Sequence, residues 1–149
     1  MADSDLIKLY SGRILELAAN MTRTERLDAP DATVQKRAPL CGSTVTVDVK
    51  LDGERVTDFA QDVKACALGQ AAASVVGREI VGLQKSEVIL ARDELSAMLR
   101  NNGPAPSAPF DDLSVLMAAR DFSNRHASIL LALEAVVEAI SQTQDTVCA

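Results

Sequence analysis

Two cysteines in different settings are the residues of this chain best suited to chemistry. Cys41 lies in a Pro/Gly turn, Ala38-Pro39-Leu40-Cys41-Gly42-Ser43, just before a strand pattern. Cys66 lies in Lys64-Ala65-Cys66-Ala67-Leu68-Gly69 and opens a run of small apolar residues typical of a helix. Unpaired backbone N–H groups at a helix start favour a thiolate, and a glycine beside Cys41 lets the backbone approach a bound atom closely. The pair predicts half of a metal or sulfur-handling site, with two inert buried thiols as the alternative.

The remaining candidates for chemistry are weaker. His126, the single histidine, falls in the first turn of the last predicted helix, where a structural role is the alternative to metal binding. Ser128 follows it, but a hydroxyl is a poor ligand for a soft metal, and no acid near His126 completes a triad. Cys148, in the tail, is interpreted as an exposed thiol without function. Four acids are interpreted as the solvated face of a hairpin: Asp48, Asp52, Asp58 and Asp62.

A hairpin lies between the two cysteines and can position them. Val45, Val47, Val49 and Leu51 alternate with polar residues, which predicts a half-buried strand. Asp52-Gly53 predicts a tight turn, because glycine tolerates the positive φ that such a turn demands. A return strand over 56–63 and an edge strand over 32–38 complete the predicted sheet. The return strand would bring the two thiols to the same end of that sheet.

Helical patterns occupy the rest of the chain. The first, with Leu6, Ile7, Tyr10, Ile14 and Leu17 at helical spacing, predicts a helix over 4–20. Four more are predicted at 66–76, at 87–100 with Ser86 as the cap, from Asp111 or Asp112 through Ala119, and at 124–141 with Ser123 as the cap. Asn101-Asn102-Gly103 predicts the end of the third helix. The order predicts one α+β domain over 1–149, a three-stranded antiparallel sheet with helices packed against it, and a flexible tail at 142–149.

Composition narrows the classes of function. The chain has 149 residues, enough to bury a core without disulfide bonds, and only three cysteines. A net charge of −6 and an aromatic content of 3% argue against nucleic-acid binding, which needs cationic and stacking surfaces. No apolar stretch is long enough to span a bilayer, and Met1-Ala2-Asp3-Ser4-Asp5 lacks the positive start of a signal peptide. We expect a cytoplasmic protein without a membrane partner.

The residues quoted above resemble the IscU/NifU-type iron–sulfur cluster assembly scaffolds, and especially their SufU-like subgroup. The resemblance rests on Pro39-Leu40-Cys41-Gly42, on Leu51-Asp52-Gly53 and on Cys66-Ala67-Leu68-Gly69, and runs from about residue 5 to residue 140. It implies a scaffold or carrier and not an enzyme. Such a protein accepts sulfur from a cysteine desulfurase and iron, and passes a cluster to acceptor proteins, as a monomer or homodimer. Cys41 and Cys66 would be ligands or persulfide carriers for a transient [2Fe–2S] cluster or for zinc.

The sequence departs from the family pattern at two ligand positions. Ser43 stands where the family has an aspartate, and Ser128 stands where it has a third cysteine, while Arg125 is retained and would screen the site's charge. Three completions of the ligand set remain open: His126 with water, Cys148 from the tail, or a cluster shared by two protomers. Two alternatives to a scaffold also remain open. One is a zinc-bound sulfurtransferase partner of a desulfurase, and the other is a degenerate paralogue that binds no metal.

Overall fold

The computed structural model describes residues 12–39 and 42–148, with side chains through residue 143. Their elements confirm the predicted α+β order of one helix, three strands and further helices. The strands are β1 (Ala32–Arg37), β2 (Thr44–Asp52) and β3 (Arg55–Lys64); the helices are α1 (Gly12–Ala19), α2 (Ala67–Glu79), α3 (Lys85–Arg100), a 3₁₀ helix (Asp111–Ala119) and α4 (Ser123–Cys148). None of the helices in these described ranges is both long and apolar enough to cross a membrane.

The sheet is antiparallel throughout, in the order β1-β2-β3. The alternating valines of β2 are buried, as the pattern predicts, and Gly53 occupies the turn with a φ of 64°. Thr44 at the start of β2 pairs with Lys64 at the end of β3. The residues just before Thr44 and just after Lys64 therefore lie at the same end of the sheet.

Helix α4 forms the centre of the packing. Its apolar stripe includes Ile129, Leu133, Val136 and Ile140, all buried, and it contacts α2, α3, β1 and β2. Helix α2 carries small residues at 71–73 that are also fully buried, which lets it pack closely between α1 and α4. Cys66 directly precedes α2 and Ser128 lies within α4, so the packing of these two helices fixes the positions of both residues.

Several helix boundaries differ from the predicted ones. Helix α3 begins at Lys85 because Gln84, and not Ser86, is its cap, in a reciprocal capping box with Glu87. Helix α4 continues to Cys148, whereas the sequence predicted its end at residue 141. The predicted first helix is described only from Gly12, and its earlier residues, with Leu6, Ile7 and Tyr10, lie outside the described residues.

The interpretation of Asp48 as a solvated acid is wrong. Its side chain is 0% exposed, because the connector between α1 and β1 covers the face of the sheet opposite the valines. Its carboxylate accepts hydrogen bonds from Arg26 Nε (2.6 Å) and Nη2 (3.0 Å), from the Leu27 amide (3.1 Å) and from Thr33 Oγ1 (2.6 Å). The hydrogen bonds from Arg26, which outweigh the opposing effect of burial, lower the pKa of Asp48.

Candidate sulfur-handling site

Ser43 and Cys66 meet at the sheet end defined by the Thr44–Lys64 pair. A tight turn leads into β2, in which the Gly42 amide donates to the Ala38 carbonyl (2.8 Å) and the Ala38 amide donates to the Ser43 carbonyl (2.9 Å). Gly42 has a φ of 73°, the left-handed region that favours glycine, as the Pro/Gly turn pattern predicts. Cys41, the other predicted thiol, lies outside the described residues.

Cys66 is the residue that caps the N-terminus of α2. Its backbone is extended (φ −67°, ψ 171°), and its side chain makes no capping hydrogen bond, so the sulfur is not used to satisfy the helix. The thiol is half-buried, and the first turn of α2 carries no acidic residue. The positive end of the helix dipole therefore acts on the sulfur without a neighbouring carboxylate in that turn to oppose it.

Ser43 and Ser128, which the sequence predicts at two ligand positions of the family pattern, hydrogen bond to each other. Ser43 Oγ lies 2.9 Å from Ser128 Oγ, although the residues are 85 positions apart in the chain. Ser128 Oγ also lies 3.8 Å from Cys66 Sγ, at the long end for a hydrogen bond to sulfur. Both serines are almost fully covered, with 4% and 2% of their surfaces exposed. The structure thus brings Ser43, Ser128 and Cys66 into one cluster.

Gly69 allows Ser128 to reach this position. A Cβ atom at residue 69 would lie 2.5 Å from Ser128 Oγ and 2.9 Å from Ala65 Cβ, both closer than carbon side chains tolerate. The close approach of α4 to the first turn of α2 therefore depends on the missing side chain. Sequence reasoning missed this role, although an isolated glycine within a helical pattern is a signal of close packing.

We expect Gly69→Ala to lower the free energy of unfolding by about 1–3 kcal/mol, because the added methyl group must displace Ser128 or Ala65. At most other helix positions the same substitution raises the free energy of unfolding, since alanine is favoured over glycine in helices by about 1 kcal/mol. Gly12→Ala is the matched control, because no atom of the described residues lies within 4 Å of its added Cβ. Urea unfolding of both variants measures the effect, and equal or higher stability of Gly69→Ala would contradict the packing role of Gly69.

The structure does not bring His126 to Cys66. The imidazole is 4% exposed, and its Nε2 lies 2.9 Å from the Ala119 carbonyl oxygen and 3.1 Å from that of Arg120. Because carbonyl oxygens only accept, Nε2 carries the hydrogen and donates it. His126 and Ser128 are two residues apart on α4, so their side chains leave the helix about 200° apart. The nitrogen would bind a metal only after losing both hydrogen bonds.

Arg125 is half-buried and lies three residues before Ser128, on the neighbouring turn of α4. Its amide donates to the Phe122 carbonyl (2.9 Å) at the start of the helix. Within the part of the chain that the structure describes, the guanidinium belongs to no ion pair. The predicted screening of negative charge by Arg125 stays a prediction.

The described residues do not supply a full ligand set for a metal. Cys66 is the thiolate donor, while Ser43 and Ser128 offer hydroxyls, which are poor ligands for soft metals. Among the described side chains, those of residues 12–39 and 42–143, no three His, Cys, Asp or Glu groups are arranged as they would be around an ion. Tetrahedral zinc and a [2Fe–2S] cluster each need four ligands, mostly thiolates. The arrangement at Cys66 suits thiol chemistry on sulfur better than retention of a metal by these residues alone.

Comparison with known proteins shows what the chain is similar to. The family model of the NifU-like N-terminal domain matches residues 9–144. The iron–sulfur cluster assembly scaffold protein IscU of Streptococcus pyogenes serotype M1 is 26% identical over 143 residues, which cover 96% of this chain and 89% of that protein.

Solved structures show the same likeness. The crystal structure of a nitrogen-fixing NifU-like protein (N-terminal) from Brucella abortus is 46% identical, with a TM-score of 0.92, over 95% of this chain and 98% of that one. A protein of Fervidobacterium islandicum AW-1, provisionally assigned as a cluster assembly scaffold of the SUF system, has a TM-score of 0.76 over 90% of this chain and 98% of that one. At 18% identity, this second likeness concerns the fold alone.

Proposed function

Because the chain belongs to the NifU-like N-terminal domain family of iron–sulfur cluster assembly scaffolds, we propose that it accepts sulfur on Cys66 and delivers it into clusters built for acceptor proteins. The sulfur donor would be a cysteine desulfurase. The observation that carries the proposal is the setting of Cys66, a half-buried thiol at the start of α2 that is in contact with a hydroxyl and not used as a cap.

The transfer step is a thiol–persulfide exchange. The Cys66 thiolate attacks the terminal sulfur of a persulfide on the desulfurase, and the sulfur–sulfur bond of that persulfide breaks. Its electron pair leaves on the desulfurase cysteine as a thiolate, while Cys66 keeps the transferred sulfur as its own persulfide. The exchange conserves atoms and charge, so it requires no further oxidant or reductant.

Holding a cluster needs more thiolate than Cys66 provides. In this proposal Cys41 is the second ligand, and the remaining ligands come from a second copy of the chain or from the acceptor protein. The two hydroxyls of Ser43 and Ser128 leave a cluster weakly held, which suits a protein that passes its cargo on. The zinc-bound sulfurtransferase alternative shares the persulfide step, but it requires three or four resident ligands in one chain, and the described residues do not favour it.

The experiment is a sulfur-uptake assay without iron. The protein is incubated with a cysteine desulfurase and cysteine, then digested with trypsin, and the peptides are weighed. Cleavage after Lys64 and Arg78 gives a peptide, residues 65–78, in which Cys66 is the single cysteine. We expect this peptide to gain the mass of one sulfur atom and to lose it on treatment with a reductant.

Two variants make this assay decisive. Cys66→Ala should lose most of the sulfur taken up, while Cys148→Ala, which removes a thiol from the far end of α4, should retain it. Undiminished uptake by Cys66→Ala, or no gain of mass on residues 65–78 of the unaltered protein, would refute Cys66 as the sulfur acceptor. Zinc, iron and labile sulfide measured in freshly purified protein would separate the scaffold from the zinc-bound alternative.

A further inference from the structure

We propose that Ser43, Ser128 and Cys66 form a directed hydrogen-bond chain that donates to the Cys66 sulfur in its thiolate form, which makes Ser128 a positioning residue for sulfur acceptance. This inference rests on the proposed function, because it explains how the accepting thiolate is kept reactive. It assigns a role to Ser43 and Ser128, which the resemblance to the family marks only as positions without the usual metal ligands.

The three groups are arranged in sequence. Ser43 Oγ lies 2.9 Å from Ser128 Oγ, which in turn lies 3.8 Å from Cys66 Sγ. Each comes from a different part of the chain: the turn before β2, the first turns of α4 and the start of α2. The position of Ser128 is tightly defined, because its hydroxyl lies against the backbone of Gly69, where a methyl group would not fit.

The chemistry of the sulfur sets the direction of the chain. A thiolate has no hydrogen, so Ser128 must donate its single hydroxyl hydrogen to Cys66 Sγ. Ser128 Oγ can then only accept from Ser43, which donates. Each bond polarises the next, and a hydrogen bond to an ionised group is about twice as strong as a neutral one.

Burial makes this arrangement effective. Ser43 and Ser128 are 4% and 2% exposed, so water competes little for their hydrogens, whereas the half-buried sulfur stays open to a sulfur donor. The positive end of α2, which Cys66 caps, also acts on the sulfur. A charge that would otherwise depend on solvent is thus stabilised by groups that are already in place before a partner arrives.

The test is the rate at which iodoacetamide alkylates Cys66 at neutral pH, read on the tryptic peptide of residues 65–78. Cys41 and Cys148 fall in other peptides, so the three thiols are measured separately in one digest. We expect Ser128→Ala to react about 5- to 10-fold more slowly at Cys66, the scale of one charge-assisted hydrogen bond. Ser43→Ala should slow the reaction about 2- to 3-fold, because it removes the bond that polarises Ser128 and leaves the Ser128–Cys66 contact in place.

A double-variant cycle separates the chain from a general structural effect. In the Ser128→Ala background, Ser43→Ala should have no further effect on the Cys66 rate, since its influence passes through Ser128. Ser74→Ala is the matched control. Ser74 is a buried serine on α2, the helix that Cys66 caps, and its hydroxyl donates to the Asn20 carbonyl (3.2 Å), so its loss should leave the Cys66 rate unchanged.

The outcomes distinguish this inference from the proposed function, because alkylation needs no desulfurase. A Cys66 rate in Ser128→Ala within 2-fold of the unaltered protein, or additive effects of the two serine variants, would overturn the chain even if Cys66 takes up sulfur. Slowed alkylation without sulfur uptake would leave the chain standing and refute the function. If Ser128→Ala does not fold, as judged by circular dichroism, the Ser43→Ala rate decides, and an unchanged rate there contradicts the chain.

Discussion

Ser128→Cys should convert the Cys66 site into one that binds zinc or cobalt(II) at least about 100-fold more tightly, because it adds one more thiolate to the ligand set. The geometry already suits it. Ser128 Oγ and Cys66 Sγ are 3.8 Å apart. In a tetrahedral zinc site with zinc–sulfur bonds of about 2.3 Å, two thiolate sulfurs also lie about 3.8 Å from each other. The new sulfur would replace a hydroxyl that already lies at a ligand-to-ligand spacing.

Cobalt(II) titration measures this gain, because cobalt bound by thiolate absorbs in the near-ultraviolet and visible range. Ser74→Cys is the matched control, since it also adds one buried cysteine but places it elsewhere on α2. Adding Cys66→Ala to Ser128→Cys should abolish the new absorbance, whereas adding His126→Ala should leave it unchanged, because Nε2 is bonded to carbonyl oxygens. Equal binding by Ser128→Cys and Ser74→Cys would contradict the geometry proposed for the site.

Asp48→Asn should lower the free energy of unfolding at pH 7 by about 2–3 kcal/mol, the largest stability effect that we expect for one residue outside the apolar core. All of the groups around the carboxylate are donors: the Arg26 guanidinium, the Leu27 amide and the Thr33 hydroxyl. The amide nitrogen of asparagine would face one of these donors. Arg26 is 54% exposed and can regain water, which keeps the loss below that of a fully buried ion pair.

The loss in Asp48→Asn should also depend on pH in a defined direction. The pKa of Asp48 is lowered in the folded protein, chiefly by the hydrogen bonds from Arg26, from a usual value of about 3.8. Its stabilisation is therefore fully present above that value and is lost as the pH falls through the folded-state pKa. The stability difference between the unaltered protein and Asp48→Asn should shrink as the pH falls below that usual value of about 3.8. Urea unfolding across this range, with the exposed Asp52→Asn as control, measures it; a constant difference would contradict the ionic role of Asp48.

The family and the fold class predicted from the residues are confirmed, and local patterns explain why. The alternating valines of β2, the glycine at the turn and the small residues after Cys66 each report on the nearest few positions, which is the range over which strands, turns and helices form. The boundary errors have a local cause as well. The capping box of Gln84 and Glu87 competes with Ser86 as the start of α3, and a single side chain does not reveal which cap prevails.

The predicted ligand site is harder to derive, because its members come from distant parts of the chain. His126 and Ser128 are neighbours in sequence, yet helical geometry directs one toward the Ala119 carbonyl and the other toward Cys66. Asp48 shares its hairpin with exposed acids, yet the connector that carries Arg26 covers it. In each case the burial of the side chain depends on an element that is distant in sequence and packs over it. The hydrophobic pattern of the strand or helix itself does not reveal that element.

The sequence by itself therefore predicted Cys41 and Cys66 as the candidate thiols and determined the local setting of Cys66, the start of a helix that follows a hairpin. The resemblance also predicted that Ser43 and Ser128 stand where the family pattern has an acid and a thiol. Only the tertiary structure decided what those serines do, because their 2.9 Å hydrogen bond joins positions 85 residues apart. That contact exists because α4 approaches α2 at Gly69 closely enough to place Ser128 between Ser43 and Cys66, and such an approach depends on the packing of the whole core.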